Sequence, residues 1–168
     1  EAVSEGHEAV TARGIGRSPT VWYSTVTIDK GTSAGIRVDD AVIAPDGLAG
    51  RITATTKGTA QVTLITDPES SVTGRVLPEG ATGVVEPEVG DPRDLQLNFV
   101  QRGEAIAENQ TVVTAGFASG SLDSLFPPGI PIGRVTDSSL EEQQAYQRVH
   151  LRAFADLRDM QFVQALVE

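Results

Sequence analysis

Hydrophobicity in this chain alternates with a period of two. In VWYSTVTID, Trp22, Val26 and Ile28 share one face, and in LQLNFV, Leu95, Leu97 and Phe99 share one. AQVTLIT, SVTGRVL, TGVVE, TVVT and RVHLRAF are also short and rich in valine, threonine and aromatics. Successive side chains of a strand point to opposite faces, so this period marks half-buried β-strands. Each segment ends near Gly, Pro, Asp or Asn, which supply the turns. Many short strands at regular spacing imply a sandwich or barrels. Helical patterning is confined to the opening EAVSEGHEAV and to FADLRDM, which has room for one or two turns.

The chain also echoes itself. VDDAVIAPDGLAGRIT spans Val38 to Thr53, and ENQTVVTAG followed by PPGIPIGRVT spans Glu108 to Thr136. Both read as a polar pair, a strand with adjacent β-branched residues, a Pro-x-Gly turn, then Gly-Arg, a β-branched residue and Thr. Eight residues separate Val42 from Arg51, and twenty-one separate Val112 from Arg134. The extra length falls in the loop FASGSLDSL. Two related β units follow, with a boundary after the TDP turn, near Ser70. The expected organisation is residues 1–13 as the end of a coiled coil or a tail, 14–70 as a first barrel, and 71–146 as a second. The strands within 147–167 must pair somewhere, and completing the first barrel is one way. The coiled-coil expectation rests on Ala2 with Ala9 and Val3 with Val10, a single heptad spacing.

Composition removes several kinds of chemistry. The net charge is −10, and Arg13, Arg17, Lys30, Arg37, Arg51 and Lys57 are scattered singly. Nucleic-acid binding needs a basic surface to neutralise phosphates, and no such stripe exists. With no cysteine there is no disulfide, thiolate metal site or cysteine nucleophile. Asp39–Asp40 and Glu141–Glu142 are adjacent pairs whose members point apart on a strand, so no metal is expected. GFASGS lacks the Gly-Lys-Ser/Thr of a phosphate loop, and DKGTSAG reads as a turn between strands, so no cofactor is expected either. Ser119, Ser121 and Ser124 lie in no Gly-x-Ser-x-Gly elbow. Of the two histidines, His7 falls in the expected tail. His150 alternates with Val149 and Leu151, so it faces away from their side. Twin barrels resemble chymotrypsin-type folds, but no Gly-Asp-Ser-Gly-Gly-like segment is present. Asn109 begins an NQT sequon, a pattern that matches often by chance.

Aromatic and large apolar residues are the better lead. Trp22 and Tyr23 are consecutive in a strand, so one faces out if the other faces in. Either they meet a partner or Trp22 anchors the core. Phe117, Leu125 and Phe126 place apolar groups in a polar loop, either tucked beneath it or available for contact.

GRSPTVWYSTVTIDKGTSAGIRVDDAVIAPDGLAGRIT (Gly16 to Thr53), VTLITDP (Val62 to Pro68), FPPGIPIGRV (Phe126 to Val135) and FADLRDMQFVQALV (Phe154 to Val167) together resemble the MreC family of rod-shape-determining proteins. The match covers roughly residues 12 to 167. The resemblance implies an extracytoplasmic region on the outer side of the cytoplasmic membrane, anchored by an N-terminal transmembrane helix outside this sequence. It also implies a scaffold of the cell-elongation machinery and no enzyme activity. By the same resemblance its partners are a second copy of itself, in a dimer or filament, a penicillin-binding transpeptidase, MreD and MreB. It supplies structural turn glycines at Gly31, Gly35, Gly47, Gly50, Gly116, Gly129 and Gly133. Asn109-Gln110 replaces the family's usual Gly-Asp, Thr114-Ala115-Gly116 its frequent Thr-Ser-Gly, and the Phe117–Leu125 loop is longer than usual.

The expectation is therefore an all-β protein of two small six-stranded barrel-like domains, without a catalytic triad. Trp22, Tyr23, Phe117, Leu125 and Phe126 are its candidate partner contacts. The alternatives are a chymotrypsin-like serine hydrolase and an extracytoplasmic glycan or small-ligand binding module.

Overall fold

A computed structural model describes residues 8–17, 25–67, 70–78, 80–88, 91–101, 106–115, 126, 129–139, 146–155 and 161–167. Twelve strands are present among them: β1 (Glu8–Arg17), β2 (Thr25–Ile28), β3 (Ala41–Ala44), β4 (Gly47–Thr55), β5 (Ala60–Leu64), β6 (Val72–Val76), β7 (Thr82–Glu88), β8 (Asp91–Gln101), β9 (Thr111–Thr114), β10 (Pro131–Ser139), β11 (Tyr146–Ala153) and β12 (Phe162–Val167). A single 3-10 turn at Thr32–Ala34 is the one helical element among the described residues. FADLRDM lies largely outside them.

The strands close into two barrels of six. The first runs β1-β12-β3-β4-β5-β2 and the second β10-β11-β8-β7-β6-β9, with every neighbouring pair antiparallel. Closure consumes the free backbone edges that an open sheet would expose.

The two rings correspond strand for strand. Matching β3–β4 with β9–β10 brings β1, β2, β5 and β12 of the first ring onto β7, β8, β11 and β6 of the second. Each half of the chain thus supplies five strands to its own barrel. Its sixth strand closes the other barrel: β6 goes to the second and β12 to the first.

The echo seen in the sequence recurs in fine detail. Asp39 and Asn109 both adopt left-handed backbone, with φ of 77° and 69°, a conformation Asp and Asn tolerate better than most residues. The Asp39 amide donates to the Ile52 carbonyl at 2.8 Å, and the Asn109 amide donates to the Val135 carbonyl at 2.9 Å. The Ile52 and Val135 amides return bonds to the Asp40 and Gln110 carbonyls, both at 2.9 Å. The Asp40 and Gln110 side chains also play one role, each accepting a backbone amide three residues upstream, from Arg37 and Ala107, at 2.8 Å. Asn109-Gln110 therefore forms the same turn as Asp39-Asp40.

Three expectations need correcting. Residues 8–13 are strand: Glu8 through Arg13 pair with Val167 through Phe162, and Ala12 is buried. A single heptad is weaker than the period-two pattern that faces Ala12 inward. The 147–167 region divides, since β11 belongs to the second barrel and only β12 closes the first. Phe99 does not share the face of Leu95 and Leu97. Both leucines are fully buried, whereas Phe99 is 59% exposed and Val100 takes the inward position. Leu97 pairs with Val149 and Val100 with Gln147, so β8 carries one extra residue there. Phe99 accommodates it with a φ of 64°. Such a bulge reverses the alternation beyond it.

The hydrophobic interior crosses from one barrel to the other. Leu48, Ala41, Ile65 and Leu166 of the first barrel join a cluster containing Val72, Phe126, Ile130, Ile132 and Leu151 of the second. The rest of the first barrel encloses Ile28, Ile36, Val42, Ile52 and Val163. At the junction a Cβ on Gly47 would stand 2.8 Å from the Pro131 carbonyl oxygen and 3.2 Å from Phe154 Cβ. Only a residue without a side chain lets the β3–β4 turn approach β10 so closely.

Candidate interaction surfaces

Because both barrels are closed, their contact chemistry lies in outward side chains and in the seam between them. A cleft of about 560 Å³ opens at that seam. The β3–β4 turn (Pro45, Asp46), Ile43 and the start of β12 line one side, and Ile130 and Pro131 line the other. Its walls are mainly apolar, with Thr11, Asp46 and Gln164 as polar groups. Phe162, on the lining, is 57% exposed. The volume falls in the range of ligand and peptide pockets.

Elsewhere among the described residues the exposed large apolar ones are Ile15 at 56% and Val38 at 49% on the first barrel, and Leu77 at 41% and Phe99 at 59% on the second. Period-two reading missed Phe99 because a bulge is invisible to alternation, whereas the signal for Phe162 is present in FVQALV, where Gln164 two residues on marks the outward face.

The predicted contact residues fare differently. Trp22, Tyr23, Phe117 and Leu125 lie outside the described residues. Phe126 is 6% exposed and packs in the shared core, so its ring serves the interior.

Gly116 also lies outside the described residues. Gly31, Gly50 and Gly133 sit where a Cβ would collide with backbone carbonyls of Thr56, Thr63 and Arg152 respectively. Gly35 and Gly129 have φ of 88° and 84°, with open space where a Cβ would go. Strain alone opposes a side chain at those two, so Gly35→Ala should cost about 1 kcal/mol. A urea midpoint shifted accordingly, with an unchanged slope, checks it.

The electrostatics are those of a surface. Arg51 Nη1 lies 2.8 Å from Asp39 Oδ1 with both side chains substantially exposed, a pair worth under about 1 kcal/mol. Arg134 lies over the Phe154 ring at 5.7 Å. His150 Nδ1 lies 3.5 Å from Glu88 Oε2, and its ring is outward from the buried Val149 and Leu151, as alternation requires. His7 and the three loop serines lie outside the described residues. Among the described residues no group of three or more His, Asp or Glu is placed to hold a metal ion. No helix among them is long and apolar enough to cross a membrane.

Comparison with known proteins gives a single family. Residues 15–167 match the family model described as rod shape-determining protein MreC, barrel core. The cell shape-determining protein MreC of Listeria monocytogenes is 32% identical over 163 residues, covering 95% of this chain and 54% of that protein. A solved structure of MreC from the same species superposes with a TM-score of 0.86 at 30% identity, covering 96% of this chain and 76% of that one. MreC from Pseudomonas aeruginosa superposes with a TM-score of 0.85 at 25% identity, covering 94% and 98% of the two chains. A third solved structure is a complex between penicillin-binding protein PBP2 and MreC from Helicobacter pylori. It shares the fold with a TM-score of 0.69 at 15% identity, covering 96% and 99%. The chain thus spans about half the length of the Listeria relative.

Proposed function

We propose that this chain, which belongs to the MreC family of rod shape-determining proteins, is a non-catalytic scaffold that organises peptidoglycan synthesis on the outer side of the cytoplasmic membrane. It does so by binding a penicillin-binding transpeptidase and by associating with copies of itself, with MreD and MreB as further partners.

The observation that carries this reading is the pairing of closed barrels with outward apolar residues. Closure leaves no sheet edge for strand addition, so partners must be met through side chains such as Ile15, Val38, Phe99 and Phe162. The Helicobacter relative, solved in complex with PBP2, supports a penicillin-binding protein as the partner. Membership of the family supports the extracytoplasmic placement and the membrane anchor.

In-cell photo-crosslinking tests it. A photoreactive residue at Phe162, or at Trp22, Tyr23, Phe117 or Leu125, should trap a penicillin-binding protein or a second copy. A chain that stays monomeric at high concentration and traps no wall-synthesis protein would remove the mechanism. Stoichiometric labelling of one serine by a fluorophosphonate would replace it with the hydrolase reading. The cleft is the place to test one other reading, a glycan-binding module. Its few polar groups suit a sugar poorly, and calorimetric titration with glycan-strand fragments should show no saturable heat.

A further inference from the structure

Arginines that stand apart in the sequence are brought side by side by the second barrel. Arg134 of β10 lies opposite Arg152 of β11 on one side and opposite Thr111 of β9 on the other. Their chain neighbours Val135, Leu151 and Val112 are buried in the interior, so Thr111, Arg134 and Arg152 form one outward row. Both arginines are exposed and Thr111 is half-buried. Like charges directly opposite each other weaken a sheet. Asp94 follows Arg152 in the same row, yet among the described residues neither arginine forms an ion pair with a carboxylate. The next row is balanced: it places His150 between Asp137 and Gln96, with Glu88 Oε2 3.5 Å from His150 Nδ1.

Arg134 is also held in place. Its guanidinium lies over the Phe154 ring, 5.7 Å from the centroid, within the reach of a cation–π contact. Phe154 is half-buried, and its amide donates to the Ile132 carbonyl at 3.0 Å, which fixes the ring to the barrel. Stacking uses the flat face of a guanidinium and leaves its in-plane N–H donors open at the edge. Part of the conformational entropy that a long side chain gives up on gripping a ligand is thus already lost in the free protein. A like-charge pair that is braced and exposed, with no counter-ion of its own, breaks a local rule of sheet design, and proteins break such rules at functional sites.

We propose that Arg134 and Arg152, with the Thr111 hydroxyl beside them, bind a phosphate group carrying two negative charges, as a monoester or within a diphosphate. Two guanidinium groups match that charge. They also match its oxygens: a carboxylate has two, which a single arginine fork saturates, whereas a phosphate offers three or more and accepts from both forks. Neighbouring strands lie about 4.8 Å apart, so one group can span the pair. Three side chains are too few to follow a nucleic-acid backbone, and a chain of net charge −10 is repelled by an anionic membrane. The site stands apart from the apolar residues to which partner binding was assigned, and it does not depend on the scaffold reading.

Calorimetric titration of the whole chain with inorganic phosphate and with pyrophosphate tests it, at low ionic strength where exposed charges are least screened. Pyrophosphate should bind saturably and raise the melting temperature, as a ligand of the folded state does. Arg152→Gln should weaken that binding about tenfold or more, the scale of one charge-assisted contact. Arg152→Lys keeps the charge and loses the fork, so it should recover only part of the affinity. Because Arg152→Gln also removes a like-charge contact, its melting temperature without ligand should hold or rise. Arg51→Gln, at an arginine already paired with Asp39, should bind pyrophosphate as the unmodified chain does.

Unchanged binding by Arg152→Gln would overturn the assignment. So would equal weakening by Arg51→Gln and Arg152→Gln, which would mean diffuse attraction to positive charge. A fall of several degrees in the melting temperature of Arg152→Gln would make the row a brace of its own barrel and overturn the proposal. An unmodified chain that takes up no pyrophosphate at millimolar concentrations would do the same. Vesicles of phosphatidylglycerol should leave the chain in solution. Sedimentation with them that Arg152→Gln abolishes would assign the arginines to a membrane surface instead.

Discussion

Gly50→Ala should lower the stability of this protein by about 3–5 kcal/mol, the range of severe single substitutions, and its melting temperature by roughly 6–20 °C at this chain length. Gly50 is buried in β4 opposite Leu64. A Cβ there would collide with the Thr63 carbonyl oxygen, with the Thr63 carbonyl carbon at 2.8 Å and Leu64 Cα at 2.9 Å. These are backbone atoms of β5, and they cannot rotate aside as a side chain would. The strands must separate, which breaks the β4–β5 ladder. Gly58→Ala is the control, because nothing lies within 4 Å of its Cβ position. Loss of chain entropy in the unfolded state should leave it neutral or stabilised by under about 1 kcal/mol. Calorimetry that ranked the two variants together would refute the account of Gly50.

Leu48→Ala should cost about 2–5 kcal/mol, the range for truncating a fully buried leucine. It should also separate the unfolding of the two barrels. Leu48 belongs to β4 of the first barrel, yet it packs in the cluster of the second with no exposure. A cavity there weakens the contact between barrels as well as the interior of one. Two resolved calorimetric transitions in place of one would show that uncoupling. Leu48→Met conserves volume and should cost under about 1.5 kcal/mol with a single transition retained. A single transition in the alanine variant would mean that the exchanged strands alone couple the barrels.

Much of this architecture can be read from residue patterns, because strands and turns are local. VDDAVIAPDGLAGRIT and its counterpart disclose the duplication, and the structure extends the likeness to the left-handed Asp39 and Asn109 and the paired roles of Asp40 and Gln110. What escapes is long-range. Nothing in FVQALV says that β12 must lie between β1 and β3, or that Val72 to Val76 belongs beside β9. Hydrophobic alternation gives the face of a strand and is silent on its neighbour. Phe99 escapes for a different reason. Alternation assumes an unbroken pleat, and one inserted residue reverses every assignment after it. At Phe126 the composition of the loop, polar around single apolar residues, left two readings open. Packing chooses the interior one, since the ring joins Ile130 and Ile132 in the shared core.

The exchange of sixth strands also imposes a sequence of events in time. The strands of the second barrel, β6 to β11, are consecutive in the chain, and that barrel can close once β11 has formed. The first barrel requires β12 between β1 and β3, so Glu8 waits for Val167 at the opposite end of the chain. Contacts of such sequence separation form slowly, because a long loop must be closed before they contribute. A chain delivered from its N-terminus would therefore hold β1 to β5 unsealed until its last strand arrived. The second barrel would already be built by then, offering Phe126, Ile130 and Ile132 as the surface against which Leu48 and Leu166 settle. The part of the molecule made first would be the part finished last.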